Sequence, residues 1–203
     1  MLGKEKFYRF NLIEKKKFFL KILITYCLFT NVLYADIQKQ IINKITSIKT
    51  LSFNFKQQID GGKESGKCII KYPLLMKCDY NNLKQKVIIT NGKTVAIIKK
   101  KYKRIYLYPI KTTPLFKILK KEEIFNLIRN SKPTKENTDL ITFTALVGKN
   151  NILKVLFDEK SLELKGWQTT DAYSNNVSFM ISDLIINQKI EDDIFKIPQE
   201  SDL

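Results

Sequence analysis

Residues 86–119 read KVIITNGKTVAIIKKKYKRIYLYPIKTTPLFKIL, and they change their hydrophobic period once. Val87–Thr90 and Thr94–Lys99 are β-branched runs joined by Asn91-Gly92-Lys93. Asn-Gly between two such runs is the strongest short-range hairpin signal. Arg104–Tyr108 continues as a strand, with Ile105 and Leu107 alternating against Tyr106 and Tyr108. The period then lengthens. Pro109 ends the strand, Thr113 can cap a helix, Pro114 suits its first position, and Leu115, Ile118 and Leu119 form a stripe at helical spacing. A β-meander that breaks once to lay down an apolar helix predicts a sheet with a helix across it. Such a helix is either core filler or a lid over a cavity.

Upstream, Asp36 is a suitable N-cap for a helix whose Ile37, Ile41, Ile45 and Ile48 share one face. Leu51, Phe53 and Phe55 alternate with Ser52, Asn54 and Lys56, as strand residues do. A glycine-rich turn is expected over Asp60–Gly66, then strands over Lys67–Tyr72 and Leu75–Tyr80, the second with Met76, Cys78 and Tyr80 on one face. Downstream, Glu122–Asn130 sets Ile124, Leu127 and Ile128 on one side of a helix, and Ser131–Thr138 reads as a polar linker. Strands are expected over Leu140–Val147, Ile152–Asp158, Leu162–Thr170 and Val177–Leu184, with Ile190–Ile197 as a last short one. The total is about ten strands and three short helices. A long antiparallel sheet must curl or close to manage its edges. The expected fold class is therefore mainly β with α: an incomplete, half-open antiparallel β-barrel covered by a helical lid.

The N-terminal residues 1–35 stand apart. Lys15-Lys16-Lys17 precede an apolar run from Phe18 to Leu33, which ends in Leu33-Tyr34-Ala35, the pattern of a cleaved secretory signal peptide. Lys21, Thr25, Thr30 and Asn31 leave that run short of the ~20 apolar residues of a spanning helix. Cys27 follows the bulky Tyr26, which argues against lipidation. Export would deliver residues 36–203 as a single domain.

Composition excludes much chemistry. The chain carries a formal net charge of +16, but Arg9, Arg104 and Arg129 are its only arginines. A nucleic-acid binder would use arginine for bidentate and stacking contacts, so no nucleic-acid partner is expected. Lys99-Lys100-Lys101 and Lys103-Arg104, with Tyr102 and Tyr106 between, read as a solvated hairpin tip. There is no histidine, which removes the usual general base, both common nucleophile pairings and the commonest metal ligand. Glu122-Glu123 and Asp192-Asp193 are adjacent pairs whose side chains diverge. Gly61-Gly62 with Gly66 lacks the Gly-Lys-Ser/Thr of a phosphate loop. No catalytic residue, metal or cofactor is expected.

In this setting the order of several motifs resembles the LolA family of periplasmic outer-membrane lipoprotein carriers. Phe53-Asn54-Phe55-Lys56-Gln57 is similar to the family's opening strand. Tyr72-Pro73 through Tyr80 stands where the family has Arg-Pro, an aromatic, Trp, an acid and Tyr. Asn91-Gly92-Lys93-Thr94-Val95 and Thr113-Pro114-Leu115 resemble its hairpin and its helix start. Leu153–Asp158, followed by Leu164-Lys165-Gly166-Trp167-Gln168-Thr169-Thr170-Asp171-Ala172, resembles its Phe-Asp strand and its Leu-x-x-Trp-x-x-x-Asp segment. The resemblance implies an apolar cavity for acyl chains beneath the lid, and a monomeric chaperone that takes lipoproteins from an inner-membrane ABC-type releasing complex to an outer-membrane acceptor, where one exists. A related half-barrel lipid-binding or envelope-stress sensor protein of the periplasm is the alternative. Candidate cavity residues are Phe53, Phe55, Met76, Tyr80, Ile88, Ile97, Tyr106, Leu115, Leu119, Phe143, Phe157 and Trp167; the same side chains would equally suit a dry core. Candidate lid contacts are Tyr72, Ile118, Ile124 and Leu127. Tyr72 replaces the arginine with which the family is thought to tie lid to sheet.

Cys68 and Cys78 lie on consecutive strands centred on Pro73. A three-residue loop, Tyr72–Leu74, would oppose them closely enough for a disulfide, whereas a two-residue turn would send their side chains to opposite faces and forbid it.

Overall fold

Asn91 makes the hairpin turn that its sequence predicts: its Oδ1 accepts from the backbone N–H of Lys93 at 3.1 Å and of Thr94 at 3.0 Å. The flanking strands β4 (Lys86–Asn91) and β5 (Thr94–Lys99) pair antiparallel, Ile88 opposite Ile97. The computed structural model describes residues 36–135, 139–147, 151–170 and 175–203. The expected signal peptide, residues 1–35, and the Asp171-Ala172 end of the last motif lie outside the described residues. The chain divides into a unit of residues 1–39 and a unit of residues 40–203 that holds the sheet. Residues 36–47 are helical (α1), with Ile41, Ile45 and the following Ile48 buried.

Before the hairpin come β1 (Thr50–Ile59), β2 (Gly62–Lys71) and β3 (Leu75–Tyr80), and after it β6 (Arg104–Pro109). The chain then forms two helices, α2 (Leu115–Leu119) and α3 (Lys121–Asn130). It returns as β7 (Thr134–Lys135), β8 (Leu140–Val147), β9 (Asn151–Asp158), β10 (Leu164–Thr170) and β11 (Asn176–Ile186). The sheet order is β6-β5-β4-β3-β2-β1-β11-β10-β9-β8-β7. Two antiparallel meanders thus meet where the first and last strands pair. The edges, β6 and β7, stay apart, and the helices join one edge to the other, so the chain itself carries them across a face of the sheet. This is the half-open barrel with a helical lid.

Several local readings differ. The turn between β1 and β2 is two residues, Asp60 and Gly61, both at positive φ (43° and 79°). That is the mirror-image turn matching strand twist. Gly66 sits inside β2 opposite Phe55, because the Phe55 ring and the Asp79 carbonyl leave no room for a side chain. Thr113 does not cap α2 with its side chain; its hydroxyl donates back to the Ile110 carbonyl at 2.8 Å. The polar linker contains β7, whose two residues pair with β8. The last expected strand is a 3₁₀ turn, Asp192–Phe195, that buries Phe195. Beyond it Ile197 and Leu203 pack on the outer face over Val87, Ile89, Ala96 and Ile98. Lys71 anchors this tail, pairing with Asp192 at 2.6 Å and donating to the Ile190 carbonyl at 2.9 Å.

Candidate functional site

Strand alternation gives the sheet's inner face a continuous run: Phe53, Cys68, Cys78, Ile88, Ile97 and Tyr106 stand in successive register across β1 to β6. Next to it, Tyr80, Phe55, Phe179 and Trp167 make an aromatic floor. Phe55 meets Tyr80 edge-on at 4.8 Å and stacks on Phe179 at 4.6 Å, and Trp167 stacks on Phe179 at 4.1 Å. Above this face lies a cleft of about 590 Å³. Met76, Tyr80, Ile88, Val95, Ile97 and Tyr108 wall one side, Trp167, Val177 and Phe179 the other, and Thr113, Pro114, Leu115 and Ile118 the top. Two pairs of its polar side chains hold one another, the Tyr80 hydroxyl donating to Gln57 Oε1 at 2.7 Å and Thr170 Oγ1 to Asn151 Oδ1 at 3.0 Å, while the Thr112 and Thr113 hydroxyls donate to backbone carbonyls. Lys86 stands 3.8 Å over the Tyr80 ring and is ion-paired with Glu64. Burial pushes the Tyr80 hydroxyl above its ordinary range, and the Glu64 charge adds to that.

Of the candidate cavity residues, Met76, Tyr80, Ile88, Ile97, Leu115 and Trp167 come together around the cleft. Phe53 and Phe55 are buried beneath it, and Leu119 is fully buried. Phe143 and Phe157 meet edge-on at 5.9 Å in the β8–β9 end of the sheet, where α3 packs. Phe157 there borders a small gap with Ile45, Ile48, Tyr72 and Ile124. Tyr106 remains exposed at the β6 edge, under the Lys99 ammonium. Val95, Tyr108, Val177 and Phe179 were not among the candidates. The alternation of Val177 and Phe179 against Ser178 and Met180 is the signal that would have found the last two.

The lid packs by Ile118, Leu119, Ile124, Leu127 and Ile128, all buried. It is also tied by main chain. The loop between β2 and β3 is three residues long, and in it Leu74 N–H donates to the Leu119 carbonyl at 2.9 Å. Thr90 Oγ1 holds the Leu74 carbonyl at 3.0 Å. The same loop length opposes Cys68 and Cys78, which form a buried disulfide, Cα to Cα 4.1 Å, on the cleft wall. At the helix junction Lys121 Nζ donates to the Thr46 carbonyl at 2.9 Å and lies 5.3 Å over the Tyr72 ring; burial lowers its pKa. Among the described residues no helix is long and apolar enough to cross a membrane, and no cluster of side chains could hold a metal.

A sequence profile described as outer membrane lipoprotein carrier protein LolA matches residues 46–198, most of the chain. The chain belongs to the LolA family. Members of this family are periplasmic binding and carrier proteins rather than enzymes. No curated protein matches the chain in sequence. Solved structures are similar to it in fold at low identity. An uncharacterized conserved protein from Thermus thermophilus is 4% identical over 83% of this chain and 94% of its own, TM-score 0.47. The MucA/MucB complex of Pseudomonas aeruginosa gives 9% identity over 82% of this chain and 62% of its own, TM-score 0.48. A LolA superfamily protein from Nitrosomonas europaea gives 10% over 78% and 97%, TM-score 0.38. In this LolA-family chain Tyr72 stands where the resemblance has arginine. Its hydroxyl makes no hydrogen bond to the described residues, and burial raises its pKa. The polar tie from this loop to the lid is the Leu74 amide.

Proposed function

We propose that this protein carries the acyl chains of lipoproteins in the cleft beneath its lid, from the inner to the outer membrane, as a single exported domain of residues 36–203. The observation that carries the reading is the cleft: about 590 Å³, mainly apolar on both walls and under the lid, with no acid–base pair among the described residues that line it. That volume falls within the roughly 300–1,000 Å³ of ligand pockets. Each CH₂ kept from water is worth ~0.8 kcal/mol, so a triacylated lipoprotein crossing the periplasm unescorted would expose roughly 30 kcal/mol of apolar surface. A carrier must match that surface and still release it. Non-directional contacts with Met76, Ile88, Ile97 and Leu115 suit both demands, because one chain replaces another there without breaking a hydrogen bond. An inner-membrane ABC-type complex loads the protein, which acts as a monomer without cofactor, and an outer-membrane acceptor unloads it where one exists.

Trp167 is the only tryptophan of the chain and lines the cleft, so its emission reports occupancy. Titration with a soluble triacylated lipopeptide should shift that emission saturably, and the deacylated peptide should leave it unchanged. Equal responses to both peptides, or none to either, would overturn the reading.

A further inference from the structure

We propose that the end of the sheet opposite the lid is a docking surface for an anionic phospholipid bilayer. Two hairpin tips build it: residues 81–85 between β3 and β4, and the 3₁₀ turn Lys100–Tyr102 with Lys103 between β5 and β6. Lys86 pairs in register with Lys99, and Lys100 N–H donates to the Gln85 carbonyl at 3.4 Å, so the tips lie side by side. They hold two large side chains out of the fold. Leu83 is 88% exposed, the most of any large hydrophobic among the described residues, and Tyr102 is 53% exposed.

Within the two tips the charge is of one sign, and the nearest carboxylates, Glu64 and Glu200, belong to β2 and to the C-terminal tail. Residues 81–86 and 99–104 contain no acid. Lys86 is committed to Glu64, Arg104 faces Glu200 at 3.9 Å, and Lys99 lies over Tyr106. Lys84, Lys100, Lys101 and Lys103 are exposed and without an ion-pair partner among the described residues. The adjacent β1–β2 tip adds one charge of each sign, Asp60 and Lys63. An apolar pair within unpaired cations matches a surface that is apolar below and anionic above. Lysine is a point charge on a flexible stem, suited to headgroups with no fixed geometry rather than to a rigid protein carboxylate, for which arginine is the better fork. Leucine and tyrosine are side chains that enter the headgroup–acyl boundary.

The position gives the surface its use. The cleft runs along the strands from Thr113–Leu115 under the lid to Ile59 and Tyr80, next to the tips. Docking on the tips would bring that end of the cleft to the bilayer. This delivery role rests on the carrier reading; the surface itself does not.

The test floats the exported protein, as recovered from the periplasm of an expression host, with vesicles of equal parts phosphatidylglycerol and phosphatidylethanolamine, or of phosphatidylcholine alone. Binding should be confined to the anionic vesicles and lost near 1 M salt, where the screening length falls to about 3 Å. Each lysine near such a surface is worth roughly fivefold in affinity, so K100Q/K101Q/K103Q should weaken binding about a hundredfold. L83N should weaken it about tenfold. Both variants should keep the Trp167 response to lipopeptide. No flotation of the unaltered protein, or flotation unchanged in both variants, overturns the docking surface and leaves the carrier reading standing. Flotation with no lipopeptide response overturns the carrier reading and leaves the surface standing.

Discussion

Opening the Cys68–Cys78 disulfide should both destabilise the protein and loosen its lid. The bridge closes a loop of sequence separation 10. The chain-entropy relation for a loop of that size gives about 2.5–3 kcal/mol at 25 °C. At roughly 2–4 °C per kcal/mol for a domain of this length, reduction should lower Tm by about 5–12 °C. Both sulfurs are buried, so reductant acts only after partial unfolding, and Cys68→Ala/Cys78→Ala is the cleaner perturbation. It adds a small packing loss to the entropic one. The effect should be uneven. The loop between the two cysteines holds the Leu74 amide that ties Leu119, so hydrogen exchange across Thr113–Asn130 should accelerate more than across β8–β10. A thiol count on denatured, unreduced exported chain comes first, and zero is expected. Two reactive thiols, or a melting temperature indifferent to the double substitution, would refute the reasoning.

Other perturbations separate wall from core. Ile97 and Ile98 are neighbours on opposite faces, so Ile98→Ala should cost about 2–5 kcal/mol in chemical denaturation without changing lipopeptide affinity of the folded fraction. Ile88→Phe/Ile97→Phe, a cross-strand pair on the cleft wall, should change stability little and reduce uptake measured by Trp167 emission. Gly66→Ala would place a Cβ 2.0 Å from the Asp79 carbonyl oxygen and 2.8 Å from the Phe55 ring; a loss of about 3 kcal/mol is expected, and a neutral result by urea titration would show the β2–β3 pairing to be wrong. Burial raises the hydroxyl pKa of Tyr72 and Tyr80 above the ordinary value near 10. The unfolded chain therefore sheds these protons first, and stability, fully present below about pH 10, should fall as pH rises above it. Tyr72→Phe should flatten that fall and otherwise change stability by less than about 0.5 kcal/mol; an unchanged alkaline profile would contradict the assignment.

Much of this architecture was legible because every strand but the two-residue β7 runs six or more residues, and because Pro109, Thr113-Pro114 and Asn91-Gly92 mark the breaks. Errors fell where a distant contact decides. Gly66 reads as turn because glycine usually marks one, yet its role is to pass beneath a Phe55 ring from the neighbouring strand. Ile190–Ile197 alternates like a strand, but its apolar residues are spent on Phe195 burial and on Ile197 covering the outer face. The candidate site divides for the same reason. Ile88, Ile97, Met76 and Trp167 face the cleft by alternation alone, whereas Phe143 and Phe157 share that inner face but meet α3 and α1 at its far end. Nothing local in the chain tells a wall residue from a floor residue, since curvature and the helix crossing set that difference.

The most direct test of the central claim is release of a triacylated lipoprotein from inner-membrane vesicles by the purified exported protein in the presence of an ATP-driven lipoprotein-releasing complex. The account predicts that lipoprotein appears in the soluble fraction bound to the protein, and that I88F/I97F releases less. Lipoprotein that stays with the membranes, under conditions where a known carrier mobilises it, would contradict the account.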